Sequence, residues 1–338
     1  MNAPTPTLSV VVIGRNEGAR LQRCLHSVSA IRGWQGHVEM IYVDSGSTDD
    51  SCLRARSFGC RVVELNSERP SAALGRNAGW RPAGAPLVLF LDGDTILDPD
   101  FPVRAAAAFH DARIAVVCGR RREIKPEASV FNRVLDLDWI APAGSCDFCG
   151  GDALIRREVL ETVKGYDDSL IAGEEPDMCR RIRGLGHVIL HLDCPMTGHD
   201  LAMYHWRQYW RRAVRTGHAY AEVSSRYAGT ALPLWLAESR ANVRRGVFWT
   251  SAWFFGVVLS VLWLSPMPLA AVVAFLGVLS ARTAQKFTWK SSDRQTLLLY
   301  GLHSHLQQIP ILIGQLNYYL DRRRGRRRRL IEYKESAI

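Results

Sequence analysis

No second cysteine pair accompanies Cys146-Asp-Phe-Cys149, so this CxxC spacing is not expected to build a zinc site. The eight cysteines are scattered and no internal repeat is visible. Residues 1–6 are short and polar and run straight into a β-branched stretch. From that start no secretory leader is expected, and a reduced, cytosolic catalytic portion is expected in place of a disulfide framework. Charge is missing from residues 247–264, and again from the apolar stretch that follows Ser265-Pro-Met-Pro268 as far as Ala281. What charge there is leans one way, with a net +10 carried mostly by Arg, much of it after residue 200. Clustered basic charge points to nucleic acid or to an anionic membrane surface. With 47% hydrophobic and 22% charged residues, the 338-residue chain suffices for one large domain or two smaller units.

The chain is organised around residues 88–95, Val-Leu-Phe-Leu-Asp-Gly-Asp-Thr. The apolar run reads as a fully buried strand that stops on two carboxylates, Asp92 and Asp94. In an open parallel sheet, ligands sit beyond the carboxyl ends of the strands. Two acids there, with Gly93 between them, suit a hard divalent cation. A strand ending in an ordinary polar turn has the same residue types. The neighbours decide between the two readings. Residues 8–13 form a β-branched run ending at Gly14, followed by the turn Arg15-Asn16-Glu17 and a helix over 19–30 with Leu21, Cys24, Leu25 and Val28 in step. A second strand, 38–43, ends on Asp44, and Ser47, Thr48 and Asp49 follow as candidate helix caps. Residues 61–65 are a third strand, and 72–80 a helix carrying Arg76 and Asn77. Strand–helix alternation with acids at successive strand ends predicts a doubly wound α/β layer.

Beyond Asp94 the pattern changes. A helix is expected over 101–111, a strand over 114–119 and a basic turn over 120–122. Gly150-Gly151-Asp152 precedes a helix over 156–163. Gly173-Glu174-Glu175-Pro176-Asp177 leads into a helix over 178–185, with Pro176 suited to its first turn. Acids complement a helix N-terminus, but three in four residues exceed what capping requires.

Such residues suit a reaction that holds a nucleoside, neutralises a leaving diphosphate with a metal and deprotonates an incoming hydroxyl. Asp44 and Glu17 would accept hydrogen bonds from base and ribose. Asp92 and Asp94 would bring Mg²⁺ or Mn²⁺ to the diphosphate, with Arg76 adding a fixed positive charge. A carboxylate of the 174–177 cluster would be the general base.

The chain resembles the family 2 glycosyltransferases of GT-A fold. The matching stretches are 10–17 with Asn16-Glu17, 43–49 (Val-Asp-Ser-Gly-Ser-Thr-Asp), 75–79 (Gly-Arg-Asn-Ala-Gly), Asp92-Gly-Asp94, Gly150-Gly151 with Arg156-Arg157, and 173–181. Six weak motifs in the family's order, over roughly residues 8–195, carry the resemblance. It implies a nucleotide-sugar donor, a divalent cation (Mg²⁺ or Mn²⁺) at Asp92 and Asp94, and inversion at the anomeric carbon by one direct displacement. It also implies an α/β fold: a Rossmann-like, mostly parallel central sheet with flanking helices. The donor-binding set it implies is Asn16, Glu17, Asp44, Ser47, Asp49, Arg76, Asn77 and Asp92. Gly151, Glu174, Asp177 and Arg181 would serve the acceptor or support the site, Asp177 as a structural cap near Arg181. Where the family usually has Glu-Asp this chain has Glu174-Glu175, so the expected base falls on Glu175, one methylene longer. Gln208-Tyr-Trp-Arg211-Arg212 partly resembles the Gln-x-x-Arg-Trp element of processive members, but Arg212 stands where Trp belongs, which favours an interfacial amphipathic helix.

The C-terminal region reads as membrane-seeking. Residues 205–215 interleave Trp206, Tyr209 and Trp210 with four Arg, a mixture that suits lipid headgroups. Nucleic acid is set aside as a partner because the two charge-free stretches follow. Each only just reaches spanning length, so a tight hairpin or re-entrant pair is expected, against a buried soluble hairpin as the alternative. Basic residues on both sides place both ends in the cytosol. Residues 296–320 are interrupted by His303, His305, Gln307, Gln308, Pro310 and Asn317, and are expected to lie in the interface or re-enter. His303 and His305 are read as interfacial polar residues. The expected organisation is a catalytic domain over 1–200, interfacial helices over 201–245, the membrane hairpin and re-entrant helix over 246–320, and a basic tail over 321–338 for anionic lipid. The expectation is an inverting enzyme of bacterial polysaccharide or glycolipid assembly on the cytosolic side of the inner membrane, with a lipid-linked saccharide as acceptor. The alternatives are transfer to a polyprenyl monophosphate, and a catalytically inactive membrane scaffold.

Overall fold

The computed structural model describes residues 6–326, so the basic-tail residues Arg327, Arg328 and Arg329 and the extreme N-terminus lie outside the described residues. The chain divides into two compact units. The first takes residues up to Ile124 and returns for Ala141–Leu201; the second takes Lys125–Ile140 and the chain after Leu201. The division moves 125–140 out of the expected catalytic block.

The first unit begins with β1 (Pro6–Gly14), α1 (Ala19–Ser29), β2 (His37–Asp44), α2 (Ser51–Ser57), β3 (Arg61–Glu64), α3 (Ala72–Trp80) and β4 (Leu87–Asp92). β1 pairs in parallel with β2 and β4, and β2 with β3. Val88, Leu89, Phe90 and Leu91 of β4 are wholly buried, each worth about 2 kcal/mol. α1 lays Leu21, Cys24, Leu25 and Val28 into the core, one face at helical spacing. Ser71 caps α3, its hydroxyl accepting from the Leu74 amide at 3.2 Å.

β5 (Thr95–Leu97), α4 (Phe101–Ala108) and β6 (Ile114–Glu123) follow; the chain then gives α5 (Val130–Asp136) to the second unit and returns through β7 (Gly144–Cys146), β8 (Ala153–Arg156), α6 (Arg157–Val163), α7 (Glu174–Gly184) and β9 (Val188–His199). The sheet order is β3-β2-β1-β4-β8-β6-β9-β5, with β7 on β9. The mostly parallel sheet expected from sequence is found: β3, β2, β1, β4, β6 and β9 all run the same way. Three short strands run against them, β8 between β4 and β6, and β5 and β7 on β9. Residues 120–122, expected as a basic turn, continue β6, which pairs with β9 as far as Glu123–His199.

The second unit is helical: α5, then α8 (Trp206–Tyr227), α9 (Leu236–Leu262), α10 (Met267–Lys286), α11 (Arg294–Leu306) and α12 (Gln308–Arg323). α8 and α12 pack closely at Gly217, where a Cβ would lie 2.0 Å from the Ile311 carbonyl oxygen. Gln208 caps α8, its Oε1 accepting from the Tyr204 and His205 amides at 2.8 and 2.9 Å. α9 and α10 are long and apolar enough to cross a membrane. Phe254, Phe255, Leu262, Trp263 and Met267 are exposed around their connection, and Leu264 at the turn is 93% exposed. Residues 296–320 are two helices rather than one, divided at Gln307. His303 is buried, not interfacial: its Nδ1 lies 2.8 Å from the Tyr209 hydroxyl and its Nε2 3.6 Å from Asp138. Asp138 also accepts from the Tyr300 hydroxyl at 3.1 Å, and the Leu137 carbonyl from Lys290 at 2.6 Å, which ties residues 125–140 to the helices.

Candidate active site

Sheet register brings the strand-end residues together. Gly14 pairs with Asp44, and Asp44 with Glu64, while Ile13 pairs with Asp92. The strand order reverses at β1, which lies between β2 and β4, and a crevice opens at the carboxyl ends of such strands.

The loops after β1 and β2 are tied to each other. The Asn16 side-chain oxygen accepts from the Thr48 amide at 2.7 Å, and the Asn16 amide donates to the Ser47 hydroxyl at 2.8 Å. Asp49 accepts from the Gly18 amide at 3.1 Å and from the Ser51 amide at 3.1 Å. Glu17 takes Arg20 at 3.0 Å. Asp44 lies at the end of β2. It is buried, and its carboxylate accepts from the Tyr42 hydroxyl (3.0 Å), the Gly46 and Ser47 amides (3.0 and 2.7 Å) and the Ser47 hydroxyl (2.5 Å). Those donors match the lone-pair capacity of a carboxylate. In this structure Asp44 shapes the 45–50 turn, and contact with a nucleoside would require one of those donors to yield.

The centre of the site is a buried charge array. Arg76, 4% exposed, donates to Asp92 at 2.8 Å and to Glu174 at 3.0 Å, joining the end of β4 to the first turn of α7. Burial works against its charge, but the carboxylates of Asp92 and Glu174 hold the guanidinium ionised. The expected free positive charge for a diphosphate is thus already spent between two carboxylates. Arg121, which sequence reasoning missed, reaches Asp92 at 3.4 Å and Asp152 at 3.2 Å. Asp152, also missed, accepts from the Asp92 amide at 3.0 Å and the Thr197 hydroxyl at 2.7 Å. Burial raises its carboxyl above the ordinary range, with Arg121 opposing. Gly151 is required here, since a Cβ would meet Arg76 at 2.8 Å and Asp92 at 2.9 Å.

Asp94 is buried and its Oδ2 lies 3.4 Å from His199 Nε2 at the end of β9; the other ring nitrogen is 4.0 Å from Glu123. A carboxylate oxygen and an imidazole nitrogen so placed are a donor pair for a divalent cation. His199 was not singled out from sequence; only its position in the β5–β9 pairing, where it meets Thr95, brings it to Asp94.

Asn77 ties α3 to the turn at Tyr166. It is buried, donating to the Tyr166 carbonyl at 2.8 Å and to Asp168, and accepting from the Tyr166 amide (3.0 Å) and Trp80 (2.9 Å). With both its amide hydrogens and its oxygen engaged, it clamps the turn after α6. Arg181 holds Asp177 at 2.6 Å and the Gly165 carbonyl at 2.8 Å. Asp177 therefore braces α7 internally, while the helix is capped by Gly173.

Glu175 sits in the first turn of α7. Its Oε1 accepts from the Cys149 amide at 2.7 Å and from the Cys179 thiol at 2.9 Å. Burial raises its carboxyl above the ordinary range, and those two bonds pull the other way. A carboxyl raised towards neutrality is a stronger base when ionised than a solvated one.

Residues 9–164 match the family described as Glycosyl transferase family 2. The chain is 20% identical over 279 residues to the probable glycosyltransferase YdaM of Bacillus subtilis, covering 75% of this chain and 65% of that one. It is 22% identical over 198 residues to the glycosyltransferase AglE of Haloferax volcanii, covering 55% and 64%. The chain spans just under two thirds of the length of these relatives. Among solved structures, the mannosyltransferase PcManGT from Pyrobaculum calidifontis, in complex with GDP-Man and Mn²⁺, superposes with a TM-score of 0.61 at 16% identity, over 95% of this chain and 88% of that one. The α/β fold is therefore that of a GT-A glycosyltransferase.

Proposed function

We propose, for a chain whose residues 9–164 belong to glycosyl transferase family 2, inverting transfer of a sugar from a nucleotide-sugar donor to a hydroxyl of a lipid-linked saccharide, at the cytosolic side of a bacterial inner membrane. The observation that carries the reading is the salt-bridged line Asp92–Arg76–Glu174, which fixes a strand-end acid and the helix bearing Glu175 on one crevice.

In this reading Asn16, Ser47 and Asp49 hold the two loops that frame the nucleoside. Asp92 is oriented by Arg76 and Arg121 towards the donor. Asp94 and His199 fit a divalent cation, and an imidazole in the set favours Mn²⁺ over Mg²⁺; the Mn²⁺ in the PcManGT complex is in keeping with this. When bound, the cation supplies Lewis-acid stabilisation of the leaving diphosphate. Glu175 takes the proton of the acceptor hydroxyl, and its raised carboxyl suits that task near neutral pH.

The acceptor class rests on α9 and α10. From Val247 to the end of α9 the apolar part is 16 residues long, about 24 Å at helical rise, short of the roughly 30 Å hydrocarbon core. A hairpin that dips into the bilayer and returns, with Trp263 and Leu264 at its tip, fits that length and keeps Arg244, Arg245 and Lys286 on the side they share. An enzyme held so is suited to an acceptor in the same membrane.

The test is a panel of nucleotide sugars offered to the detergent-solubilised full chain with a lipid-linked saccharide, with Mn²⁺ or EDTA, following nucleotide release. Metal-dependent release from one donor is expected. No release from any donor, in protein that remains folded, would replace the enzyme with a scaffold.

A further inference from the structure

The CxxC motif does not act as a pair. Cys146 turns its thiol to the carbonyls of Phe148 (3.3 Å) and Ile189 (3.7 Å). Cys149 instead meets Cys179, with the two sulfurs 3.5 Å apart. Cys179 lies one turn after Glu175 on α7, so both project from one helix face. The thiol and the carboxylate are thereby brought to the loop that carries Cys149. The ligand atoms of Cys149, Glu175 and Cys179 all lie within 4.8 Å of one another, the only such group of three or more among the described residues. Both cysteines are buried. Two buried thiols alone would be ordinary core residues. A carboxylate within reach of both is not.

We propose that Cys149, Cys179 and Glu175 form a site for a thiophilic divalent cation, Zn²⁺ above all, and that its occupation stops catalysis by engaging Glu175. The geometry favours a metal over a disulfide. Tetrahedral zinc with Zn–S bonds of about 2.3 Å places its sulfurs about 3.8 Å apart, close to the 3.5 Å seen. A disulfide needs them at about 2 Å. Three protein ligands leave the fourth position for water, the pattern of an open zinc site. Binding releases two protons, one from each thiol, and the complex of Zn²⁺ with two thiolates and one carboxylate carries a net charge of about −1. The hard oxygen and imidazole set of Asp94 and His199 serves Mn²⁺, while thiolates select the softer ion. Two metals would thus act on one crevice with opposite effects. The inhibitory half rests on Glu175 being the base; the metal site itself does not.

The experiment uses the full reduced chain in detergent, titrated with Co²⁺ in the presence of excess Mg²⁺. One Co²⁺ per chain with a thiolate-to-cobalt charge-transfer band is expected, bleached by Zn²⁺. The band should vanish in Cys149→Ser and in Cys179→Ser and survive in Cys146→Ser. Absence of the band, or its survival in both of the first two variants, would overturn the site. Should those variants fail to fold, X-ray absorption of the Zn²⁺-loaded wild type reads the ligands directly: two sulfurs support the site, and a shell of nitrogen and oxygen alone refutes it. In parallel, Zn²⁺ equimolar with the chain should lower transfer at least tenfold under excess Mn²⁺. The loss should be absent from Cys149→Ser, where Zn²⁺ acting at Asp94 and His199 alone would still cause it. Thiolate binding without that loss would keep the site and overturn Glu175 as base.

Discussion

Replacing Glu175 with Gln separates chemistry from structure at one position. The Gln side-chain oxygen can still accept from the Cys149 amide and the Cys179 thiol, the bonds made at 2.7 and 2.9 Å by the carboxylate. The first turn of α7 should therefore stay in place, and thermal stability should move by less than about 1 kcal/mol. What is lost is proton acceptance. A positioned general base contributes about 10²–10⁴-fold, or about 3–5 kcal/mol of barrier at 1.36 kcal/mol per decade. Transfer of radiolabelled sugar to a hydroxyl acceptor should fall by that factor in kcat, with KM for the donor within about threefold, the pattern of an interaction made only in the transition state. Glu175→Asp, which restores the residue the resemblance leads one to expect, should retain more activity than Gln although its carboxylate is set back by a methylene. If Glu175→Gln kept the wild-type rate, the base assignment would be wrong. An already ionised nucleophile, such as a polyprenyl monophosphate, would then be the better acceptor.

Three further outcomes follow from the same geometry. The base must be ionised to work, so the rate should fall tenfold per pH unit below its pKa; burial raises that pKa, so the acid limb should lie above the ordinary carboxylate range and be absent from Glu175→Gln. Arg76→Leu removes the partner of Asp92 and Glu174 and should cost about 3 kcal/mol, less than for a fully enclosed pair because the Asp92 side chain is 28% exposed; a shift in urea midpoint at unchanged slope checks it. Leu264→Lys places a charge at the tip of the α9–α10 turn, where Leu264 is 93% exposed, and should weaken flotation of the chain with anionic vesicles severalfold while leaving release of nucleotide in detergent unchanged.

Apolar runs made the first parallel strands legible, because residues 10–13 and 87–91 are continuously hydrophobic, the first stopping at Gly14 and the second on Asp92. The reversed strands were not, since β8 is four residues long and takes its direction from β4 and β6 on either side. At the site, motif residues were visible but their partners were not. Arg76 and Asn77 stand in one motif, yet Arg76 spans to Glu174, 98 positions on, and Asn77 to the turn at Tyr166. Arg121, Asp152 and His199 belong to no local pattern; register alone gathers them. The CxxC spacing was visible, and its true partner, Cys179, was hidden in a helix 30 residues further along. Spacing reports what one element can present, while a site made of several elements is set by their packing.

The charges of the crevice decide how a donor can enter it. Two guanidiniums, Arg76 and Arg121, are already shared among three carboxylates, Asp92, Asp152 and Glu174. Asp94 adds another beside His199. The two guanidiniums are outnumbered by these four carboxylates, and a negative array of low surrounding dielectric repels a diphosphate. A divalent cation at Asp94 and His199 offsets that repulsion, so the metal should be needed for the donor to bind and not for the chemical step alone. Calorimetric titration of the full chain with the donor selected by the panel should therefore show affinity in Mn²⁺ at least tenfold above that in EDTA, and His199→Ala should lose most of the difference. Equal affinity with and without metal would mean that some other basic group receives the diphosphate, and the assignment of Asp94 and His199 would fall with it.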